Sequence, residues 1–222
     1  MTANPPCSDT VPLAVPRDGL IVVEGMPGAG KTTAACALAA RGLPVLGEYT
    51  DDADTTIAIA MHPPVDDDHA HQQNWLRKTA QCTARLARGG TVYADRDWLS
   101  SLSYAYSVAA ADGGALLRHR ADWAASRLDD GSLLLPGIYV IFDLDPATSL
   151  DRRGGRLRPG HPWNQPGSLR RLRDFYNCPS QALLPVHPRL AQALRQPRRA
   201  DISGHSDPHQ ITGRLAELGG QP

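Results

Sequence analysis

Residues 24–33, EGMPGAGKTT, constrain the fold more strongly than any other part of the sequence. They match the pattern G-x-x-x-x-G-K-[ST], in which the backbone N–H groups of a glycine-rich turn surround phosphate groups. The residues before the turn, GLIVVE, have the apolar character of a short buried strand. The residues after it, TTAACALAARG, predict a helix that ends at Gly42. This order of strand, turn and helix predicts a phosphate site at the positive end of the helix.

The residues that close the glycine-rich turn predict the cofactors, which are ATP and Mg²⁺. Lys31 would contact the β- and γ-phosphates of ATP, and the Thr32 hydroxyl would bind Mg²⁺. Thr33 would contact the α-phosphate through its backbone and its hydroxyl. The predicted nucleotide-binding residues are Gly25, Gly28, Ala29, Gly30, Lys31, Thr32 and Thr33.

Apolar strand patterns alternate with helical patterns along the rest of the chain. Further strands are predicted over residues 43–49, 91–98, 137–145 and 198–204. This alternation predicts an α/β fold with a parallel sheet that helices cover on both faces. Gly113 and Gly114 predict a break between two helices. Residues 1–18 contain four prolines and little periodicity, which predicts a flexible leader before a single domain over residues 19–222.

The composition argues against several classes of function. Lysine plus arginine and aspartate plus glutamate both number 23, so no overall basic field indicates nucleic-acid binding. No apolar run approaches the roughly 18–20 residues that span a bilayer, and the first residues lack the pattern of a secretion signal. The four cysteines are widely scattered, as is typical of reduced thiols. We therefore expect a cytoplasmic protein with a small-molecule partner.

Two charged segments would complete a phosphate-transfer site. Asp95 and Arg96 lie at the end of a predicted strand, where the carboxylate would support Mg²⁺ and the guanidinium would clamp an anionic acceptor. A solvent-exposed pair in a turn is the alternative interpretation of these two residues. Later in the chain, arginines crowd a glycine-rich loop and predict a lid over residues 152–167. Arg153 and Arg156 are the predicted catalytic arginines of this lid.

Four segments of the chain occur in the order and spacing of one known family. They are EGMPGAGKTT, ARGGTVYADRDWLSSLSYAYS, YVIFDLDPATSLDRRGGR and SLRRLRDFY. In these segments the chain resembles the thymidylate kinases. The resemblance implies a three-layer P-loop kinase fold with a five-stranded parallel sheet, ATP and Mg²⁺ as cofactors, and a homodimer. It also implies that Asp95 supports the metal, that Arg96 grips the acceptor phosphate, and that Ser101 and Tyr104 lie in the acceptor pocket.

The departures from that family concentrate on the acceptor side. Pro27 stands where the family has an aspartate that faces the sugar, and Gly47 stands where it has an arginine for the acceptor phosphate. The base-reading arginine of the family falls on Asn74, with Arg77 about one helical turn further on. Ala105 replaces a glutamine. Asn74 and Arg77 are thus predicted acceptor-binding residues, and the departures imply an acceptor other than thymidylate.

Three hypotheses of function follow from these observations. In the first, ATP phosphorylates a nucleoside monophosphate or a close analogue, because Arg96 and a basic lid suit two highly charged substrates. In the second, the acceptor is a hydroxyl of a nucleoside, a sugar or an antibiotic-like molecule, and Glu48 acts as general base. The third is a regulatory P-loop NTPase that transfers phosphate only to water. Arg96 matches the arginine with which the family grips the acceptor phosphate, and it favours the first hypothesis. Gly47 replaces the family's other phosphate-binding arginine, and this loss favours the second hypothesis.

Overall fold

The structure, a computed structural model, describes residues 13–153 and 161–220. In this part of the chain, five strands form one sheet, and every pair of neighbouring strands is parallel. The strands are β1 (Pro16–Gly25), β2 (Val45–Leu46), β3 (Val92–Asp95), β4 (Leu135–Asp143) and β5 (Arg198–Ser203). Their order in the sheet is β2-β3-β1-β4-β5. The predicted five-stranded parallel sheet is therefore confirmed.

Helices cover both faces of this sheet. They are α1 (Lys31–Ala40), α2 (Asp68–Leu86), α3 (Leu99–Asp112), α4 (Ala115–Asp129), α5 (Pro146–Arg153), α6 (Pro166–Asn177), α7 (Pro179–Leu183), α8 (Pro188–Ala193) and α9 (Pro208–Leu218). The second half of β1 is buried at every position rather than at alternate ones, as expected for a strand between two helical layers. As predicted, Gly113 and Gly114 separate α3 from α4. No helix within the described ranges is both long and apolar enough to cross a membrane.

Strand β1 begins earlier than predicted, inside the segment predicted as a leader. Its first residues pair with β4, with Pro16 opposite Leu135 and Arg17 opposite Pro136. An irregularity in the register then follows between Arg17 and Ile21. Pairing with a long neighbouring strand therefore orders a proline-containing segment whose own sequence has no strand periodicity.

Strand β2 is shorter than predicted because the chain folds back directly after it. Thr50 and Thr56 form an isolated antiparallel bridge, which brings the chain back toward the end of β2. The Thr56 side chain packs directly against Gly47. The predicted strand over residues 43–49 is thus a two-residue strand followed by a tight loop that carries Glu48.

The segments that follow β1, β2 and β3 meet at one edge of the sheet. Val23 of β1 lies opposite Asp95 of β3, and Leu46 of β2 lies opposite Ala94 of β3. All three strands are parallel, so their carboxyl ends point the same way, which is where ligands bind in sheets of this kind. This register brings the glycine-rich turn, the loop that carries Glu48 and the turn after Asp95 together.

Candidate active site

The glycine-rich turn between β1 and α1 has the geometry that a phosphate site requires. Gly25 has a φ of 122°, and a Cβ there would lie 2.2 Å from the backbone oxygen of Phe142, so a side chain would clash with β4. Gly30, with a φ of 95°, is the N-cap of α1. Gly28 is exposed and Ala29 is buried. The turn thus places glycine backbone, with no side chain at Gly28 or Gly30, at the positive end of a helix.

Lys31, the first residue of α1, directs its side chain back onto this turn. Its Nζ donates to the carbonyl oxygens of Gly25 at 2.9 Å and of Met26 at 2.7 Å. Burial of the amine, together with the nearby positive charge of Arg96, lowers the pKa of Lys31 to about 7. An anion bound above the turn would raise that pKa again, because it would favour the charged form.

Thr32 and Asp95 meet where α1 begins and β3 ends. Thr32 Oγ1 donates to Asp95 Oδ2 at 3.0 Å, and Thr33 is exposed beside it in the same turn of helix. Asp95 is buried, and its other oxygen, Oδ1, has no hydrogen-bond partner among the described residues. Mg²⁺ prefers oxygen ligands such as hydroxyl, carboxylate and water. A buried carboxylate oxygen that lacks a partner therefore fits the predicted Mg²⁺ site.

Arg96 follows β3 with a φ of 67°, which is an uncommon conformation for a residue that has a Cβ. Its guanidinium lies between two carboxylates, with Nη1 at 3.3 Å from Glu24 Oε2 and Nε at 3.0 Å from Glu48 Oε1. Nη1 also donates to Ser100 Oγ at 3.1 Å. Although burial opposes the charged form, the carboxylates, with Glu48 foremost, raise the pKa of Arg96 above its ordinary value. Arg96 is therefore a buried cation whose charge is already balanced within the protein.

Glu48 lies just beyond β2, and its side chain is 30% exposed. Burial opposes ionisation of this carboxyl, but electrostatic attraction, with Arg96 foremost, outweighs burial and lowers the pKa of Glu48 below its ordinary value of 4.5. Glu48 is thus an ionised and partly accessible carboxylate. Such a group can accept a proton from a hydroxyl or bind a water of a metal ion.

Glu24, near the end of β1, is fully buried and was not predicted as a site residue. Its carboxylate accepts hydrogen bonds from Tyr176 Oη at 2.8 Å, from Ser100 Oγ at 2.7 Å and from the Asp97 N–H at 3.1 Å. These donors come in addition to the ion pair with Arg96. These hydrogen bonds hold the Glu24 carboxylate in place, and it in turn holds the Arg96 guanidinium. An acidic residue at the end of an otherwise apolar strand is the sequence signal that points to it.

Asp97 follows Arg96 directly and adds a partly buried carboxyl whose backbone N–H donates to Glu24. Its oxygens accept hydrogen bonds from the Leu99 N–H at 2.8 Å and from Tyr139 Oη at 2.9 Å. Burial and the neighbouring Glu24 raise the pKa of Asp97 to about 8. Burial and the charge of Glu24 thus favour the protonated form of Asp97.

Arg153, one of the two predicted catalytic arginines of the lid, lies at the end of α5 and faces the site. Its guanidinium carbon is 5.1 Å from the ring centre of Trp163, and its Nη1 is buried without a hydrogen-bond partner in the described part of the chain. Burial and repulsion by Arg96 lower the pKa of Arg153 to about 10. Arg156 lies outside the described residues.

Helix α5 is attached to the glycine-rich turn by Ser149, which the sequence did not single out, and by Arg152, which was predicted as the first residue of the lid. Ser149 Oγ donates to the carbonyl oxygen of Pro27 at 2.7 Å. Arg152 Nη1 donates to the carbonyl oxygens of Gly28 at 3.1 Å and of Gly204 at 2.8 Å. The first two of these contacts join residues that are 122 and 124 positions apart, so no local pattern indicates them.

Asn74 and Arg77, both predicted to bind the acceptor, have partners in the loop after β2. The Asn74 amide uses both of its ends on backbone groups, since Nδ2 donates to Glu48 O at 3.0 Å and Oδ1 accepts from the Thr50 N–H at 3.2 Å. Arg77 Nε pairs with Asp52 at 2.7 Å, and its Nη1 donates to Thr50 O at 2.8 Å. These contacts tie α2 to the loop that carries Glu48. A direct contact of either residue with the acceptor stays a prediction.

Ser101 and Tyr104 lie on α3, close to aromatic and cationic neighbours. Ser101 Oγ accepts a hydrogen bond from Trp75 Nε1 at 2.8 Å. The guanidinium of Arg120 lies 5.2 Å from the ring centre of Tyr104, and the ring centre of Trp163 lies 6.2 Å away in an edge-to-face arrangement. Tyr104 is only half-buried. The structure therefore brings Tyr104 to the same side of the site as Trp163 and Arg153.

The sequence and the fold were compared with those of known proteins. Residues 20–148, more than half of the chain, match the family model described as AAA domain. No curated protein sequence matches the chain.

Solved structures of deoxyadenosine kinase from M. mycoides resemble the chain in fold. With bound dATP, the TM-score is 0.59 at 12% identity over 90% of this chain and 98% of that chain. With the products dCMP and dCDP, the TM-score is 0.58 at 12% identity over 90% of this chain and 97% of that chain. The predicted P-loop kinase fold is thereby confirmed. From the family match, the chain belongs to the AAA domain family.

Proposed function

We propose that the protein is an ATP-dependent kinase that transfers the γ-phosphate to a hydroxyl of a nucleoside or similar small molecule, with Glu48 as general base. The observation that carries this proposal is the position of Arg96 between Glu48 at 3.0 Å and Glu24 at 3.3 Å. An arginine with two carboxylate partners is a weak clamp for an acceptor phosphate, because its charge is already balanced. The same ion pair would hold the Glu48 carboxylate beside Arg96 by attraction of charge.

The backbone at Gly47 supports a hydroxyl acceptor as well. A Cβ at this position would lie 2.3 Å from Cγ2 and 2.4 Å from Oγ1 of Thr56. Thr56 is placed there by its bridge to Thr50. The arginine that the resemblance to thymidylate kinases assigns to this position therefore has no room in this loop.

In the proposed reaction, the acceptor hydroxyl oxygen attacks the γ-phosphorus of ATP. The bond from that phosphorus to the bridging oxygen of ADP breaks, and Glu48 receives the hydroxyl proton. The lowered pKa of Glu48 keeps its carboxylate ionised at neutral pH, as a proton acceptor must be. Because phosphoryl transfer passes through a loose transition state, positioning and charge neutralisation contribute more than the strength of the base.

Two cationic side chains and a bound Mg²⁺ would neutralise the phosphate charge. Lys31 would exchange its bonds to the turn carbonyls for bonds to the β- and γ-phosphates. Thr32 and Asp95 would hold Mg²⁺, which when bound balances negative charge on phosphate oxygens. Arg153, whose Nη1 has no partner in the described ranges, would contact the transferred group. The same role for Arg156 stays a prediction.

The solved structures of similar fold support a nucleoside acceptor. They are of a deoxyadenosine kinase with bound dATP, with bound dCTP, or with the products dCMP and dCDP. In the chain itself, the half-buried ring of Trp163 lies beside Arg153 and meets the half-buried ring of Tyr104 edge to face. Aromatic surfaces of this kind suit the planar base of a nucleoside.

A nucleoside monophosphate is the second candidate acceptor, and Arg153 favours it. This arginine is near enough to Arg96 for repulsion to contribute to its lowered pKa of about 10. A phosphate bound between the two guanidinium groups would relieve that repulsion. This acceptor is also the one that the resemblance to thymidylate kinases implies.

Product analysis separates these candidates. The purified protein would be given ATP, Mg²⁺ and panels of nucleosides, nucleoside monophosphates and antibiotic-like compounds, with ADP release followed by a coupled assay. ³¹P NMR of the product then distinguishes a phosphomonoester from a diphosphate. We expect a phosphomonoester. A diphosphate product would support the second candidate, and ADP release that needs no acceptor would support a regulatory NTPase.

The remaining sequence predictions concern partners and location. A homodimer, a cytoplasmic location and the absence of nucleic-acid and membrane partners stay predictions, as does a single domain over residues 19–222.

A further inference from the structure

Helix α2 carries polar side chains on the face that is buried under the site. Asn74, Lys78 and Gln81 are spaced by four and three residues, so they lie on one side of the helix. These residues are 2%, 3% and 8% exposed. A helix face that packs against a sheet is normally apolar. Three buried polar groups in a row therefore indicate a specific set of contacts.

Asn74 and Gln81 hold the loop that follows β2. The Asn74 amide bonds the backbone at Glu48 and at Thr50, at 3.0 and 3.2 Å. Gln81 Nε2 donates to the carbonyl oxygen of Asp51 at 2.6 Å, and its Oε1 accepts from Thr50 Oγ1 at 2.7 Å. Together the two amides fix the backbone that carries Glu48.

Lys78 lies between these two residues on the helix and holds the turn that follows β3. Its Nζ donates to the carbonyl oxygens of Asp95 at 2.5 Å and of Arg96 at 2.7 Å. Two successive carbonyl groups thus converge on one ammonium group, at the residue whose φ is 67°. Lysine occurs at only two positions of the sequence, Lys31 and Lys78, and both are buried in the site.

We propose that Lys78 is a positioning residue that keeps Arg96 in its left-handed backbone conformation and so brings the guanidinium to Glu48. The proposal rests on the proposed function, in which this ion pair orients the general base. Asn74, on the same helix face, fixes the backbone of Glu48. One helix therefore sets the distance between the base and its partner.

A packing role alone does not account for Lys78. Its ammonium loses hydration in the interior, and burial lowers its pKa. With Trp75, Cys82 and Trp98 it lines a small cavity, and a methionine of similar length would line it without that loss of hydration. The ammonium supplies what an apolar side chain does not, namely two hydrogen bonds to the turn at Arg96.

The test compares Lys78→Met, which keeps the length but removes the donors, with Lys78→Arg, which keeps the charge and can donate to both carbonyls. We expect Lys78→Met to lower kcat by about tenfold to a hundredfold, because a small displacement of reacting groups has effects of this size. The KM for ATP should change by less than about threefold. Lys78→Arg should recover most of the kcat, since the adjacent cavity leaves room for the larger group.

Crystal structures of the two variants without substrates provide a readout that needs no acceptor. In Lys78→Met, Arg96 should leave its positive φ and its ion pair with Glu48 should open, whereas Lys78→Arg should preserve both. Thr212→Val removes a buried hydroxyl in α9 that bonds Pro208 O, and it serves as a control for the loss of a buried polar group. We expect its kcat to be unchanged.

The outcomes distinguish this proposal from the proposed function. If folded Lys78→Met keeps both the Arg96 conformation and the wild-type kcat, the positioning role is wrong even where Glu48→Gln abolishes transfer to a hydroxyl. If Lys78→Met displaces Arg96 but the wild type forms no phosphomonoester, the positioning role stands and the proposed function is wrong. Should Lys78→Met not fold, Lys78→Gln provides a neutral donor. Failure of both variants to fold would mean that Lys78 serves folding and would overturn the proposal.

Discussion

The nucleotide side and the acceptor side of this site are built in different ways. The nucleotide side consists of neighbours in sequence, namely the glycine-rich turn, Lys31 and Thr32. The acceptor side combines Glu24, Glu48 and Arg96, which follow or end three different strands. A short motif is therefore enough to identify the first side. The acceptor side forms only when the sheet and α2 are assembled. Its chemistry therefore depends on long-range contacts, each of which a single substitution can remove.

The largest effect should come from the nucleotide side. Lys31→Ala removes the only side chain expected to reach both the β- and the γ-phosphate, and we expect a loss of roughly 10³-fold or more in kcat. ATP-dependent turnover with the best acceptor measures this, and a thermal melt by circular dichroism confirms that the variant is folded. Near-normal turnover in a folded Lys31→Ala protein would remove both kinase candidates.

Which variant on the acceptor side loses more activity should depend on whether the acceptor is a hydroxyl or a phosphate. For a hydroxyl acceptor, Glu48→Gln should lower kcat by about 10²–10⁴-fold, because the general base is lost. Arg96→Ala should cost less. For a phosphate acceptor the ranking should reverse, since Arg96 would then contact the acceptor directly. Side-by-side kcat/KM values for the two variants decide the order.

The pH dependence of the same reaction tests the Glu48–Arg96 ion pair. Glu48 acts in its ionised form, so activity is lost as pH falls through its pKa. That pKa is lowered, so the acidic limb of the wild-type profile should lie below 4.5. Arg96→Ala removes the main cause of the lowering and should move the limb to higher pH. A limb that stays in place in Arg96→Ala, or that persists in Glu48→Gln, would exclude Glu48 as the base.

An intermediate effect is expected where the two sides meet, at Arg153. We expect Arg153→Ala to lower kcat by about tenfold, with a smaller change in the KM for ATP, because this side chain acts on the transferred group. Arg170→Ala, at an exposed position of α6, is the matched control and should leave both constants unchanged. A change confined to KM would mean that Arg153 only docks the nucleotide.

The smallest effect should come from the backbone at Gly47. Gly47→Ala places a Cβ within 2.4 Å of the Thr56 hydroxyl oxygen, so the loop must shift. We expect the free energy of unfolding to fall by about 1–3 kcal/mol and the KM for the acceptor to rise, with the KM for ATP unchanged.

Two further variants check the cause of that effect. Thr56→Gly in the same protein removes the clashing atoms and should restore both quantities. Gly167→Ala, where a Cβ would meet no atom within 4 Å, should be silent. A silent Gly47→Ala would show that the loop is free to move.

The sequence predicted the sheet well because its strands depend on local patterns, whereas the nucleotide-binding residues stay a prediction that rests on a local motif. All five strands overlap segments that were predicted as strands, and Gly113 and Gly114 marked the helix break. The extent of β1 was missed because Pro16 is ordered by pairing with Leu135 rather than by its own neighbours.

The acceptor side was predicted less completely, for a physical reason. Glu48 and Arg96 could be selected by residue type and position, but their ion pair joins two strands and leaves no trace in either segment. Glu24 and Lys78 were not selected, since each gains its role from partners far along the chain. Asn74 was selected as an acceptor contact, yet its amide is bonded to the backbone at Glu48.

The attachment of α5 to the glycine-rich turn has a consequence for the order of substrate binding. Ser149 and Arg152 donate hydrogen bonds to carbonyl oxygens of the turn, and the next residue, Arg153, faces the acceptor side. A displacement of the turn when ATP binds would therefore move the arginine that meets the acceptor. Linkage makes such coupling reciprocal, so the acceptor should tighten ATP binding by the same factor by which ATP tightens acceptor binding. Calorimetric titrations in both orders would measure this factor, and Ser149→Ala should bring it closer to one.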